Sequence, residues 1–146
     1  MRRKECKVVL VKPMSFMNQS GEFLSPLLSY FECSAATAIV VHDEIAFPLG
    51  EIKVSRNKGA GGHNGVKSVL SSIGSGFARF RVGIGMKPNP EVNLADFVLS
   101  KLSAEEWTFL QERKDYLCQS LLNLLDDGVD VAMNLINQTN RSPKPS

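Results

Sequence analysis

Apolar positions recur along this chain with two different periods. Residues 6–12 (CKVVLVK) form an apolar run closed by Pro13, and residues 38–41 (AIVV) form a second. Both read as buried strands, because a strand covered on two faces loses the alternation that a half-exposed strand keeps. Between them Phe23, Leu24, Leu27, Leu28 and Phe31 fall on one side at helical spacing, with Pro26 to be accommodated. Residues 51–56 alternate and predict a half-buried strand. Val66, Val69, Leu70 and Ile73 predict a helix that Gly74 ends. Residues 79–84 (RFRVGI) alternate again, and residues 97–99 are a candidate short strand after a loop at residues 88–90.

The last third is helical. Ser103 followed three residues later by Glu106 is a capping box, and the helix it opens runs from about 104 to about 125, with Trp107, Leu110, Tyr116, Leu117 and Leu121 as inward candidates. Asp126-Asp127-Gly128 ends it, a final helix covers residues 129–137, and residues 139–146 make a polar, proline-containing tail. Alternating strands and helices without a linker or repeat predict one α/β domain over residues 1–138 with a mixed sheet.

Composition narrows the class. With 146 residues and 43% hydrophobic positions the chain is long enough to bury a core without disulfides or a structural metal. Cys6, Cys33 and Cys118 are odd in number and lack ligand spacing, so a reducing, cytoplasmic setting is expected, with no metal and no cofactor. No apolar run is long enough to span a membrane. Charge adds a sharper signal. From Lys53 to Lys87 there are seven Lys and Arg and no Asp or Glu, leaving −5 for the rest of a chain whose net charge is +2. Such a stretch is either a solvated face balanced by the fold or a surface for nucleic-acid phosphates.

Three segments concentrate polar chemistry in apolar surroundings: Ser15-Phe16-Met17-Asn18, His42-Asp43-Glu44 and Gly61-Gly62-His63-Asn64-Gly65. Asp43 follows a predicted strand, at the carboxyl end where α/β sheets build sites, although a turn or cap aspartate fits equally. The glycine-rich segment matches neither a dinucleotide fingerprint nor a P-loop. It remains either a tight connection or a helix start whose amides can face an anion. Asn18 and Asn64 can orient a substrate or stabilise an oxyanion but cannot act as nucleophiles. No nucleophile elbow surrounds Ser15 or Ser20, which argues against a serine hydrolase.

Together these segments resemble bacterial-type peptidyl-tRNA hydrolase. The resemblance runs from about Cys6 to the tail, through Lys12-Pro13-Met14-Ser15-Phe16-Met17-Asn18-Gln19-Ser20-Gly21, His42-Asp43-Glu44 with Pro48 and Gly50, Gly61-Gly62-His63-Asn64-Gly65, and residues 79–85 (RFRVGIG). It implies a single-domain α/β fold with a mixed, mostly parallel twisted sheet flanked by helices. It also implies a cytoplasmic, monomeric, metal-independent enzyme that hydrolyses the ester between a peptide and the terminal ribose of tRNA. On this resemblance Asp43 holds a catalytic histidine in its basic form, and Phe16, Asn18 and Asn64 contact peptidyl-tRNA near the ester. Lys53 and Arg81 fall in the family's tRNA-binding surface, and Ser55 stands where some members carry a further lysine. The segment before the long helix matches the family's lid.

One departure accompanies the match. The family opens with a strand, a Gly-Asn-Pro-Gly turn and an Arg-His-Asn segment that supplies the catalytic histidine, and these 146 residues contain neither motif. His42 and His63 match positions outside the base role. The expectation is therefore a hydrolase chain incomplete at its amino terminus and inactive as given. The alternative is a non-catalytic RNA-binding relative of the same fold.

Overall fold

The computed structural model describes residues 2–85 and 89–139. Lys87, Pro88 and the predicted tail from residue 140 onward lie outside them. Contacts divide the chain into two compact units, one made of Met1–Val40 with Ser55–Ala78 and the other of Val41–Val54 with Arg79–Ser146. Among the described residues no helix is long and apolar enough to cross a membrane.

The first unit opens with a short antiparallel hairpin, β1 (Arg2–Arg3) on β2 (Cys6–Lys7), turned by Lys4 at φ +49°. The apolar run predicted as a buried strand joins the hairpin only at its first two residues. Leu10 is 75% exposed, and Val9 and Val11 are exposed as well. A strand exists by virtue of a pairing partner, and hydropathy alone does not provide one.

Helix α1 (Leu24–Tyr30) takes Pro26 in its first turn, where the missing N–H would have no intrahelical acceptor anyway. It ends in a Schellman arrangement. Cys33 N–H donates to the Leu28 carbonyl at 2.8 Å and Glu32 N–H to the Ser29 carbonyl at 3.1 Å, with Glu32 at φ +54°. A glutamate is strained there, so Glu32→Gly is expected to raise stability by about 1 kcal/mol, read from the urea midpoint. A lowered midpoint would show that the Glu32 side chain contributes more than its backbone costs.

Helix α2 (Asn64–Ile73) buries Val66 and Val69 against Phe77, with Leu24, Ala38, Val40, Ala60, Leu70 and Ile73 around them. These are the helix and the inward face that the periodicity predicts, and Gly74 terminates it at φ +77°.

Three strands, β3 (Ile39–Glu44), β4 (Ile52–Arg56) and β5 (Ala78–Gly83), form a sheet in the order β3-β5-β4. The Ala78 N–H donates to the Ala38 carbonyl and Ile84 N–H to the Glu44 carbonyl, so β3 and β5 advance in step and are parallel. At the other edge, Gly50 N–H donates to the Gly83 carbonyl and Gly83 N–H to the Glu51 carbonyl, each at 2.8 Å. With Gly50 at φ +76° this exchange is a glycine bulge in an antiparallel pairing. The sheet is mixed, as the α/β pattern predicts.

In the second unit, residues 97–99 are helical rather than a strand. Asn93 accepts from the Ala95 and Asp96 amides and opens α3 (Leu94–Leu99). An N-cap overrides a three-residue apolar run. The predicted capping box is present: Ser103 Oγ accepts from Glu106 N–H at 3.1 Å, and Glu106 Oε2 accepts from Ser103 N–H at 2.8 Å. It opens α4 (Ala104–Asp127), which Gly128 ends before α5 (Val129–Thr139).

The inward face of α4 agrees with the predicted one at Leu110, Tyr116, Leu117 and Leu121, which are half-buried, and departs from it at Trp107. Ser120 and Leu124 are buried, while Trp107 is 57% exposed. Stepping back from Leu124 by three and four residues reaches Ser120, Tyr116, Arg113 and Phe109, and Trp107 lies roughly 200° around from Phe109. Arg113 breaks the apolar pattern because it is an anchor: its Nε donates to the Gly50 carbonyl at 3.1 Å and its guanidinium lies 4.6 Å from the Tyr116 ring centre. Asn137 on α5 brackets the edge strand β4, accepting from Val54 N–H and donating to the Val54 carbonyl, both at 3.1 Å. One amide side chain thereby satisfies both backbone groups of an edge residue.

Candidate functional site

Phe16, Asn18 and Asn64 fall in the first unit; Asp43, Lys53 and Arg81 fall in the second. In the first, Phe16 is 81% exposed and precedes a 3-10 turn over Met17–Gln19 that carries Asn18. Asn64 is the first residue of α2. Two glycines let the turn and the helix approach. Gly21 N–H donates to Ser68 Oγ at 2.9 Å, and a Cβ on Gly21 would stand 2.3 Å from the Ser68 carbonyl oxygen. A Cβ on Gly65 would stand 2.6 Å from Met17 Sδ. The packing leaves both asparagine side chains exposed, with amide donors and acceptors free of the core.

His63 precedes Asn64 and has a structural task. Its Nδ1 accepts from Val66 N–H at 3.2 Å, capping α2 and placing the ring proton on Nε2. The cap takes one of the first-turn amides that the glycine-rich segment could otherwise have offered an anion.

In the second unit β3 extends further than predicted, so Asp43 is its penultimate residue instead of following it. Asp43 is half-buried, and Val41, expected inside, is 53% exposed. By strand alternation His42 and Glu44 project to one face and Asp43 to the other. On the His42 face β5 supplies two arginines. Arg79, only 3% exposed, donates from Nε to His42 Nε2 at 2.9 Å, and Arg81 forms an ion pair with Glu44. Burial holds the Arg79 guanidinium below its ordinary value; the adjacent Arg81 cation acts in the same direction and Glu44 opposes them.

Phe47 joins the two predicted basic residues. The Arg81 guanidinium lies 4.8 Å and Lys53 Nζ 5.6 Å from its ring centre. No charge or spacing cue in the sequence marks Phe47; a lone aromatic before a Pro-Leu-Gly turn is the only signal. Lys53 is exposed, whereas Arg81 has its charge met by Glu44. Among the described residues no group of three His, Cys, Asp or Glu could hold a metal ion.

The family model for peptidyl-tRNA hydrolase matches residues 1–144. This chain belongs to that family. The peptidyl-tRNA hydrolase of Lachnospira eligens is 39% identical over 132 residues, which cover 90% of this chain and 70% of that relative. That of Fervidobacterium nodosum is 41% identical over 131 residues, covering 90% and 69%. Among solved structures, the crystal structure of peptidyl-tRNA hydrolase from Acinetobacter baumannii superposes with a TM-score of 0.74 at 32% identity, covering 86% of this chain and 63% of that one. The chain therefore spans a little under two thirds of that solved relative.

Proposed function

We propose that this chain is built for hydrolysis of the ester between a peptide, or an N-blocked amino acid, and the terminal ribose of tRNA, in the cytoplasm and without a metal or other cofactor. The observation that carries the reading is the family match over residues 1–144. In the reaction a base takes a proton from water, the hydroxide attacks the ester carbonyl, the carbonyl carbon–oxygen bond breaks, and the ribose hydroxyl leaves with the proton. Asn18 and Asn64 carry exposed amides suited to holding the ester and its developing oxyanion, and Phe16 offers an exposed ring to the substrate. Asp43 is the carboxylate that orients the imidazole base.

Neither histidine of these residues is suited to be that base. His63 Nδ1 is engaged in capping α2 and His42 Nε2 accepts from Arg79. With its resident histidines committed, the chain as given is expected to turn over slowly. The test is release of a labelled N-blocked aminoacyl group from tRNA, with and without added imidazole as a replacement base. Hydrolysis that rises with imidazole above the protein-free background supports the reading. Tight tRNA binding without any hydrolysis in either condition favours the non-catalytic RNA-binding alternative.

The two basic residues should behave differently. Lys53→Ala is expected to weaken tRNA binding and flatten the slope of log K against log salt by about one unit, as for a lost phosphate contact. Arg81→Ala leaves the half-buried Glu44 carboxylate without this partner, so it should cost stability as well as affinity. Titrations across a salt series and urea melts of both variants check this. Unchanged salt slopes in both would make the stretch a solvated face.

A further inference from the structure

The His42 ring sits between two partners that each restrict where its proton can be. Arg79 has donors only, so its Nε–H at 2.9 Å requires His42 Nε2 to be an unprotonated acceptor. On the other side, His42 Nδ1 lies 2.6 Å from the Asp43 carbonyl oxygen, an acceptor only, so Nδ1 carries the hydrogen. The two contacts independently demand the same form: a neutral ring protonated at Nδ1, the less populated tautomer of a histidine side chain in water. A doubly protonated ring would set N–H against N–H at Arg79. His63 is held in the opposite tautomer, so the chain contains its own contrast.

We propose that Arg79 is a positioning residue for Asp43, acting through His42: the buried guanidinium selects the Nδ1–H tautomer, and that tautomer pins the Asp43 carbonyl. The inference rests on the role given to Asp43 above. Burying a guanidinium is costly unless its donors are used, and this one is used on a neutral ring. Fixing the carbonyl from the His42 side fixes the plane of the Asp43–Glu44 peptide. That sets the direction in which the Asp43 side chain leaves the opposite face of β3. The Glu44–Arg81 ion pair is the next rung on the same face and holds the other end of that peptide. A carboxylate that must meet an imidazole at hydrogen-bond range profits from such a rigid support.

The experiment is a long-range proton–nitrogen correlation spectrum of the uniformly labelled chain, with the Asp43 carbonyl carbon shift as a second reading. The expected result is His42 as Nδ1–H and His63 as Nε2–H. Wild-type His42 found as Nε2–H overturns the proposal without any variant, so an Arg79→Met protein that fails to fold does not shelter it. In folded Arg79→Met the Nδ1–H pattern should be lost and the Asp43 carbonyl resonance should move, while Arg79→Lys, which keeps a donor, should retain more of both. A folded Arg79→Met with an unmoved Asp43 carbonyl also overturns it. In the imidazole-supported assay Arg79→Met should lower kcat by about ten- to a hundredfold with tRNA affinity unchanged. If the wild type shows no hydrolysis, the hydrolase reading fails, and the tautomer and the carbonyl shift still decide the positioning of Asp43.

Discussion

Assayed with N-blocked aminoacyl-tRNA, the 146-residue chain should turn over about two to four orders of magnitude more slowly than the Lachnospira eligens relative, the span that general-base catalysis contributes. Added imidazole should recover part of that loss. Asp43→Asn should then remove most of the imidazole-dependent rate while leaving tRNA binding nearly unchanged. The reason lies in when each group acts. A carboxylate that orients a base is felt as the base gains positive charge in the transition state, whereas phosphate contacts are already made in the bound ground state. Turnover matching the relative without imidazole, and abolished by His63→Ala, would make His63 the base and contradict its capping role. Equal losses in affinity and in kcat/KM at constant kcat would make Asp43 a binding residue.

Gly83→Ala should be among the most destabilising single substitutions in the chain, at about 3 kcal/mol or more in urea unfolding. A Cβ at this position would stand 2.0 Å from the Pro48 carbonyl oxygen and 2.9 Å from the Phe47 carbonyl oxygen. Both obstacles are backbone, and the same backbone is tied to β5 by the Gly50–Gly83 and Glu51–Gly83 hydrogen bonds, so no side-chain rotation relieves the clash. Because Phe47 is displaced with it, the cation–π contacts of Arg81 and Lys53 should loosen too. Gly59→Ala is the matched control. Nothing lies within 4 Å of its Cβ position and its φ is not positive, so a change between about zero and 1 kcal/mol of stabilisation is expected. A Gly83→Ala protein as stable as the wild type would mean that residues 47–48 can move away from β5 without cost.

Local rules were legible where the signal and its cause lie within a few residues. The Ser103–Glu106 capping box, the Gly74 and Gly128 helix ends, and the Val66/Val69/Leu70/Ile73 stripe all appear where the sequence places them. A cap or a stripe is a short-range arrangement of hydrogen bonds or apolar area, so its residues carry the information themselves. Segments whose structure depends on a partner were legible only in part: the strands predicted near 38–41, 51–56 and 79–84 are present as β3, β4 and β5, and two other apolar runs are not strands. Residues 8–12 are as apolar as a buried strand but are not one, and residues 97–99 were taken into a helix by Asn93.

The candidate site divides in the same way. Residue chemistry and position singled out Asn18, Asp43 and Asn64; the family resemblance, which the match over residues 1–144 bears out, is what pointed to Phe16, Lys53 and Arg81. The sequence could not say which charges are already satisfied. Arg79 and Arg81 look alike in an alternating strand, yet one is buried against a histidine ring and the other is paired with Glu44 over Phe47. It likewise could not show that Arg79 reaches the His42 ring while His63 caps a helix, or that Arg113 and Asn137 serve the backbone at Gly50 and Val54. Pattern and capping are encoded within a turn or two of chain. Protonation, pairing and burial of a polar group are set by atoms brought in from distant positions, and only the tertiary structure decides them.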